Sequence, residues 1–278
     1  MTNLAKIRNV DAAIKEVADI HFANKLVETF CVVGSYAKKN GVLSNDIDCL
    51  IIVKNHTQDD DLIHLVKSLP NSVPLEKSDD TYRTLISGIE FGLAYFESND
   101  FYNSIIGGFI KGNAKSISII NRPWVIGGKI PEVLLGDIEL SQIIFDRSIR
   151  KRFTHLKKTL SISYHPTLRK TLLKELRQEI NIKLKLTERA LMNRDWMLFE
   201  VGLTDVSIAI IRYVYAKDSQ YMQPLKHIHH GYFHDLTVKR FRQIVKNVID
   251  IFCLDSRNDK LLSVTNISKK ILEGEDQK

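Results

Sequence analysis

Two carboxylates one residue apart, Asp46 and Asp48, open an apolar run that ends at Val53, ten residues after the pair Gly34-Ser35 that closes Phe30-Cys-Val-Val33. In an extended strand successive side chains point to opposite faces, so Asp46 and Asp48 project side by side while Ile47, Cys49 and Ile51 enter the core. Neighbouring carboxylates repel, apolar surroundings raise that cost, and a bound divalent cation removes it. Hard oxygen ligands of this kind select Mg²⁺ or Mn²⁺, which keep waters or phosphate oxygens as their other ligands. Gly34 lets the backbone approach a ligand closely. Ser35 sits where strand turns to helix, so a hydroxyl, exposed amides and a helix N-terminus can hold a terminal phosphate. These are parts for binding a nucleoside triphosphate and its metal.

Such a pair needs strands beside it and helices behind it. Val10 to Phe30, with Ala13, Val17, Ile20, Leu26 and Phe30 among charged residues, suits an amphipathic helix. Phe30 to Val33 and Ile47 to Val53 read as buried strands, with about one or two helical turns in the intervening SYAKKN. A helix is predicted over Asp61 to Leu69, then a hairpin of Tyr82 to Ile86 and Ile89 to Phe96 around Ser87-Gly88. A helix near Phe101 to Ile110, short strands and loops over Gly112 to Gly136, and a last strand at Gln142 to Phe145 complete this half. From Arg147 the pattern changes to apolar residues at three and four spacing among Lys, Arg and Glu, as in Arg169 to Asn193 and Trp196 to Tyr215, with no glycine between Gly136 and Gly202.

The combination of an apolar residue, Gly34-Ser35, a spacer, and Asp46-Ile47-Asp48-Cys49 resembles the signature of the DNA polymerase β-like nucleotidyltransferase superfamily. The resemblance implies a third carboxylate on a nearby strand, and Glu90 in Ile89-Glu90-Phe91 stands where it is expected. It implies catalytic and metal roles for Asp46, Asp48 and Glu90, with two Mg²⁺ or Mn²⁺ ions, and nucleotide binding by Gly34 and Ser35. Glu90 would share the metal that activates the acceptor or act as general base. The fold class expected is α+β: an N-terminal nucleotidyltransferase domain over 1–147, a small mixed sheet with helices, followed by an all-α helical bundle over 148–278 that binds substrate or partner. That order is similar to the two-domain aminoglycoside and lincosamide nucleotidyltransferases. The paired-glycine and arginine-rich pattern of tRNA CCA-adding enzymes is missing.

The expected reaction moves a nucleoside monophosphate from an NTP, with ATP the expected donor, to a hydroxyl acceptor, releasing pyrophosphate. The acceptor class stays open among a small molecule, a protein and RNA, the last two as in toxin-like or RNA-directed relatives; a non-catalytic nucleotide- or RNA-binding module is the alternative of a different class. Charge bears on this choice. Residues 1–150 hold 16 Lys+Arg against 19 Asp+Glu and residues 151–278 hold 24 against 14, so the second half can attract triphosphate or an anionic acceptor. With 44% hydrophobic and 26% charged residues, disordered, collagen-like and disulfide-stapled classes are excluded. No apolar run approaches the roughly 18 residues of a membrane span, and the N-terminus has no apolar signal region, so a cytoplasmic protein without a membrane partner is expected. Oligomeric state is not legible.

Other residues read as structural. Cys31, Cys49 and Cys253 read as buried thiols in a reducing compartment. His227, His229, His230 and His234 read as a polar interhelical loop rather than a zinc site, because no acidic or cysteine partner has a metal spacing. Trp196, Phe199, Tyr213, Tyr215 and Tyr221 read as core packing rather than a stacking wall, and Lys170, Lys174 and Arg177 as a solvated helical face.

Overall fold

The computed structural model describes residues 3–37, 46–70, 73–78, 81–103, 131–162, 164–222, 228 and 236–273. They fall into two compact units, residues 3–103 with Leu134–Ile162, and residues 131–133 with 164–273. The first is mixed sheet and helix, and the second is entirely helical. Among the described residues no helix is long and apolar enough to cross a membrane.

The first unit runs α1 (Asn3–Ala23), β1 (Val27–Val33), the single turn α2 (Gly34–Ala37), β2 (Asp46–Val53), α3 (Asp59–Lys67), β3 (Val73–Ser78), β4 (Thr81–Ile86) and β5 (Ile89–Glu97). After α4 (Pro131–Leu140) come β6 (Gln142–Asp146) and α5 (Arg152–Ile162). The strands form one sheet in the order β3-β4-β5-β2-β1-β6, antiparallel except where β2 lies parallel to β5. Ser87 and Gly88, both with positive φ, make the β4-β5 turn, the geometry that matches the twist of a two-residue hairpin. One face of the sheet buries Phe30, Val32, Ile47, Cys49, Ile51 and Phe91 in a core that includes Val17 of α1 and Leu65 of α3. The alternation expected for β2 is therefore present: Ile47, Cys49 and Ile51 are buried and Asp46 and Asp48 are half-buried.

Two predicted elements have different boundaries. The first helix stops at Ala23 instead of continuing to Phe30, because the Asn24 carboxamide accepts from the amide of Leu26 at 2.9 Å and turns the chain. Arg147 clamps this turn, donating to the carbonyls of Val27 at 2.6 Å, Phe22 at 2.7 Å and Asn24, so Val27 starts a strand. Pro131 to Gly136 are helical rather than strand or loop, since a proline in the first turn of α4 gives up an amide that has no intrahelical acceptor there. The predicted helix at Phe101 to Ile110 runs beyond residue 103, out of the described residues, as do Lys38 to Asn40 and most of Gly112 to Gly136.

The second unit is built on α6 (Pro166–Met192) and α7 (Trp196–Lys217), with α8 (Lys239–Asp250) and α9 (Arg257–Glu273) packed on them. Leu168, Leu172, Leu176 and Ile180 recur every fourth residue on the buried side of α6. The reversal between α6 and α7 is made by Arg194 in the left-handed region, and by Asp195, whose carboxylate caps α7 at the Leu198 amide, 3.0 Å away. Close helix contact follows from Gly202, where a Cβ would stand 2.5 Å from Thr187 Oγ1. Phe199, Tyr213, Tyr215 and Tyr221 are core residues as expected; Trp196 is 43% exposed, under the guanidinium of Arg257. Arg177 departs from a free solvated face, for it donates to the Leu272 carbonyl at the end of α9. Cys253 is exposed rather than buried, because in the turn Ile251–Cys253 only Ile251 points inward.

His21 is fully buried between helix and sheet. Its Nδ1 donates to the Val17 carbonyl at 2.7 Å, and in the neutral ring Nε2 accepts from the Tyr95 hydroxyl at 2.8 Å. Burial, only partly offset by the Val17 hydrogen bond, lowers its pKa from 6.5 to about 4. The unfolded chain therefore binds the proton first as pH falls, and the stability this group contributes is complete above about pH 6.5 and lost toward about pH 4. Urea unfolding should show a loss of roughly 2 to 3 kcal/mol between about pH 7 and about pH 4.5 that is missing in His21→Phe. Equal pH slopes in the two proteins would refute the account.

Candidate functional site

The site is laid out by register. β1 and β2 pair with Val33 opposite Asp48, so the end of β1 and the turn at Gly34 lie beside the second carboxylate. On the other side β5 runs parallel to β2 with Glu90 opposite Asp46 and Gly92 opposite Asp48. Paired residues of neighbouring strands share a face, which places Asp46, Asp48 and Glu90 on one side of the sheet. Its opposite side is the apolar core of Ile47, Cys49 and Phe91.

Asp48 is flanked by two glycines. A Cβ on Gly34 would stand 2.8 Å from Oδ2, and a Cβ on Gly92 would stand 3.0 Å from Oδ1. The carboxylate occupies space that any other residue at either position would take. Gly34 also has φ +71°, the left-handed region in which glycine pays no Cβ penalty. Its turn is tied down by Tyr36, whose hydroxyl donates to Asp11 of α1 at 2.5 Å; partial burial and that hydrogen bond raise the phenol's pKa to about 12. Cys49 behind Asp48 has its pKa pushed far up, first by burial and then by the Asp48 charge, which leaves an unreactive thiol.

Glu90 is paired with a cation on the neighbouring strand. Arg83 of β4 lies opposite Gly92, and its Nη1 donates to Glu90 Oε1 at 2.9 Å. Both side chains are part-exposed, so this ion pair is weakly held. Among the described residues no group of three or more His, Cys, Asp or Glu is arranged to hold a metal ion. The structure thus brings Asp46 and Asp48 together with Gly34, sets Glu90 on the neighbouring strand, and gives Glu90 a cation of its own. Ser35 lies in α2 by its backbone, and the cluster of His227, His229, His230 and His234 lies outside the described residues. The donor set still fits Mg²⁺, which binds through one or two carboxylates plus substrate phosphates rather than through a closed protein cage.

Sequence reasoning missed Gly92, Arg83 and the Tyr36-Asp11 link. A lone glycine inside Phe91-Gly92-Leu93 is a signal of close approach within a strand and could have found the first. The other two depend on strand order and on the docking of α1, which no local pattern carries.

No family model matches the chain, and no curated protein matches it. Among solved structures, the chain is similar to a nucleotidyltransferase-like protein from Exiguobacterium sibiricum 255-15, with 9% identity over 96% of this chain and 75% of that one and a TM-score of 0.47.

The two glycines should respond differently to alanine. Gly34→Ala adds a contact to Asp48 and places a Cβ at positive φ, so it should cost roughly 1 to 3 kcal/mol. Gly92→Ala meets only the tip of the Asp48 side chain and should cost less. Urea unfolding of both variants checks the order, and a Gly92→Ala loss as large as that of Gly34→Ala would contradict it.

Proposed function

We propose that the chain is a nucleotidyltransferase that moves a nucleoside monophosphate from an NTP, ATP being the expected donor, to a hydroxyl acceptor and releases pyrophosphate. The observation that carries this reading is the pair Asp46 and Asp48 on one strand face, with Asp48 set between Gly34 and Gly92 at the end of β1. Asp46 and Asp48 would hold Mg²⁺ or Mn²⁺, with Glu90 sharing a second ion on the acceptor side. Such ions supply positive charge to the attacking and leaving oxygens of an in-line displacement.

The chain's own residues do the rest. Gly34 brings backbone close to the triphosphate, and Ser35 adds a hydroxyl to its binding. A bond forms between the acceptor oxygen and the α-phosphorus while the bond to the bridging oxygen breaks, and pyrophosphate leaves with that electron pair. As the alternative to sharing the second ion, Glu90 would act as the general base that accepts the acceptor's proton. The cation excess of the helical unit favours an anionic partner.

A binding module without turnover is the second reading, favoured by the Arg83-Glu90 ion pair, which occupies the third carboxylate. Release of pyrophosphate from an NTP in the presence of candidate acceptors separates the two.

Three substitutions test the roles. Calorimetry should show NTP binding tighter with Mg²⁺ than with EDTA, and Asp46→Asn with Asp48→Asn should erase that difference. Metal dependence unchanged in the double variant would end the assignment. Glu90→Gln keeps shape and removes basicity, so Mg²⁺-NTP affinity should stay near normal while single-turnover transfer slows by about 10² to 10⁴-fold. An unchanged transfer rate would return Glu90 to the role of a hairpin residue paired with Arg83.

A further inference from the structure

Four helix ends of the second unit meet in one ring. Arg169, in the first turn of α6, donates to the carbonyls of Ala216 and Lys217 at the end of α7, at 3.1 and 3.0 Å. Asp218, the residue after α7, accepts from the Thr237 hydroxyl at 2.6 Å just ahead of α8. Arg240, in the first turn of α8, donates to the Lys270 carbonyl of α9 at 3.5 Å, and Arg177 of α6 closes the ring on the Leu272 carbonyl at 2.6 Å.

The charge at this end is one-sided. Residues 166–177, 214–218, 237–242 and 267–273 hold ten Lys and Arg against three Asp and Glu. At the other end, where Glu200 pairs with Arg257 at 3.4 Å and with Lys260 at 3.5 Å, residues 186–200 and 247–260 hold four against six. Between the two ends Arg212 pairs with Glu132 and Glu179, and Lys183 with Glu179 and Asp205. Among the described residues, none of Lys170, Lys174, Lys239, Lys269 and Lys270 makes an ion pair, and all five are exposed.

Stability does not account for all of these cations. The helix dipole favours Lys217, Lys269 and Lys270 near the C-termini of α7 and α9. It opposes Lys239, Arg240 and Arg242 in the first turn of α8, which has no acidic residue and no side-chain cap. Like charges gathered in this way repel one another until an anion is bound. Helix axes about 8–10 Å apart spread the ring over roughly 20 Å, farther than one triphosphate reaches and within the span of several phosphates of a strand. A lipid surface is held through inserted apolar side chains, whereas the exposed residues of α8 are Lys239, Arg240, Gln243, Lys246, Asn247 and Asp250. An acidic protein partner needs an apolar centre to its interface, which the same face lacks. A nucleic-acid backbone needs only cations and polar donors, which Lys239, Gln243 and Lys246 offer along one row of α8. We propose that this end of the second unit binds the phosphate backbone of a nucleic-acid strand.

The test measures fluorescence anisotropy of labelled single-stranded RNA and DNA of about 20 nucleotides with the full chain, across a series of salt concentrations. EDTA is present and nucleotide is omitted, so the carboxylates of β2 take no part. The unaltered chain should bind RNA, DNA or both, with log affinity falling linearly with log salt. Lys174→Gln with Lys239→Gln and Lys270→Gln should lower that slope by about 2 and the affinity by about 100-fold near 0.1 M salt. Lys185→Gln with Arg189→Gln and Arg194→Gln removes the same net charge from elsewhere on the α6-α7 hairpin and should leave the slope unchanged. Circular dichroism should be unchanged in both, because all six positions are exposed. Binding of either strand with this contrast supports the proposal, and the preferred strand names the nucleic acid. Equal losses in the two triple variants overturn it, as does failure to bind either strand at low salt. Capture by phosphatidylserine vesicles with neither strand bound assigns the cations to a membrane surface instead.

Discussion

The constraint on which the rest of the first unit depends is a charge placed at the end of a buried strand. Every residue of β2 after Asp48 is buried, so Asp48 stands at the point where core gives way to accessible surface. A carboxylate there must keep access to water, to a cation or to donors, since an ion fully surrounded by apolar groups neutralises by shifting its pKa. The two glycines meet that demand by subtraction: neither carries side-chain atoms that would crowd the oxygens. The backbone on both sides thereby comes close to the carboxylate.

Sheet order follows from the same strand. β2 is central, hydrogen-bonded to β1 on one side and β5 on the other, and the parallel pairing with β5 demands a long connection, which α3 and the β3-β4 hairpin supply. That connection brings Arg83 across from Gly92 and within reach of Glu90. The third carboxylate and its counter-ion are thus products of topology, whereas the first two come from adjacent positions in one run. Asp146 fastens the far edge. Burial opposes ionisation of its carboxylate, yet hydrogen bonds from the hydroxyls and amides of Ser148 and Thr154 outweigh that and hold its pKa below the usual value. Thr29 of β1 donates to the same carboxylate, so one side chain ties β1, β6 and the start of α5 together.

What was legible in the sequence divides along that line. The period-two pattern of β2 and the Ser87-Gly88 hairpin are local, and both are present in the fold at the expected residues. The three- and four-residue spacing of the second half likewise became α6 and α7. The α1-β1 boundary was not legible, because an amphipathic reading of Leu26 and Phe30 cannot see an arginine 120 positions away that holds the Val27 carbonyl in a turn. Nor could spacing reveal that Arg83 pairs with Glu90, or that Cys253 falls on the outer side of a short turn after α8. These errors concern groups whose partners are remote in sequence, and the hydrophobic pattern carries no information about such partners.

The cationic excess of the second half illustrates the same limit for charge. Taken from the sequence it is a reservoir of positive potential, yet three of its arginines are held by groups within the unit. Arg169 donates to the carbonyls of Ala216 and Lys217 at the end of α7, and Arg177 to that of Leu272 in the last turn of α9. Helix C-termini present unpaired carbonyls and a partial negative charge, so a guanidinium is well matched to both. Arg212 is held by Glu132 at 2.9 Å and by Glu179, in a part-buried cluster where burial opposes its charge and the two carboxylates more than restore it. A guanidinium bonded to neutral carbonyls keeps its charge and is merely fixed in place, whereas Arg212 between two carboxylates is cancelled locally. The exposed cations of this unit, among them Lys170, Lys174 and Lys185, act through solvent, so their field is readily screened by salt.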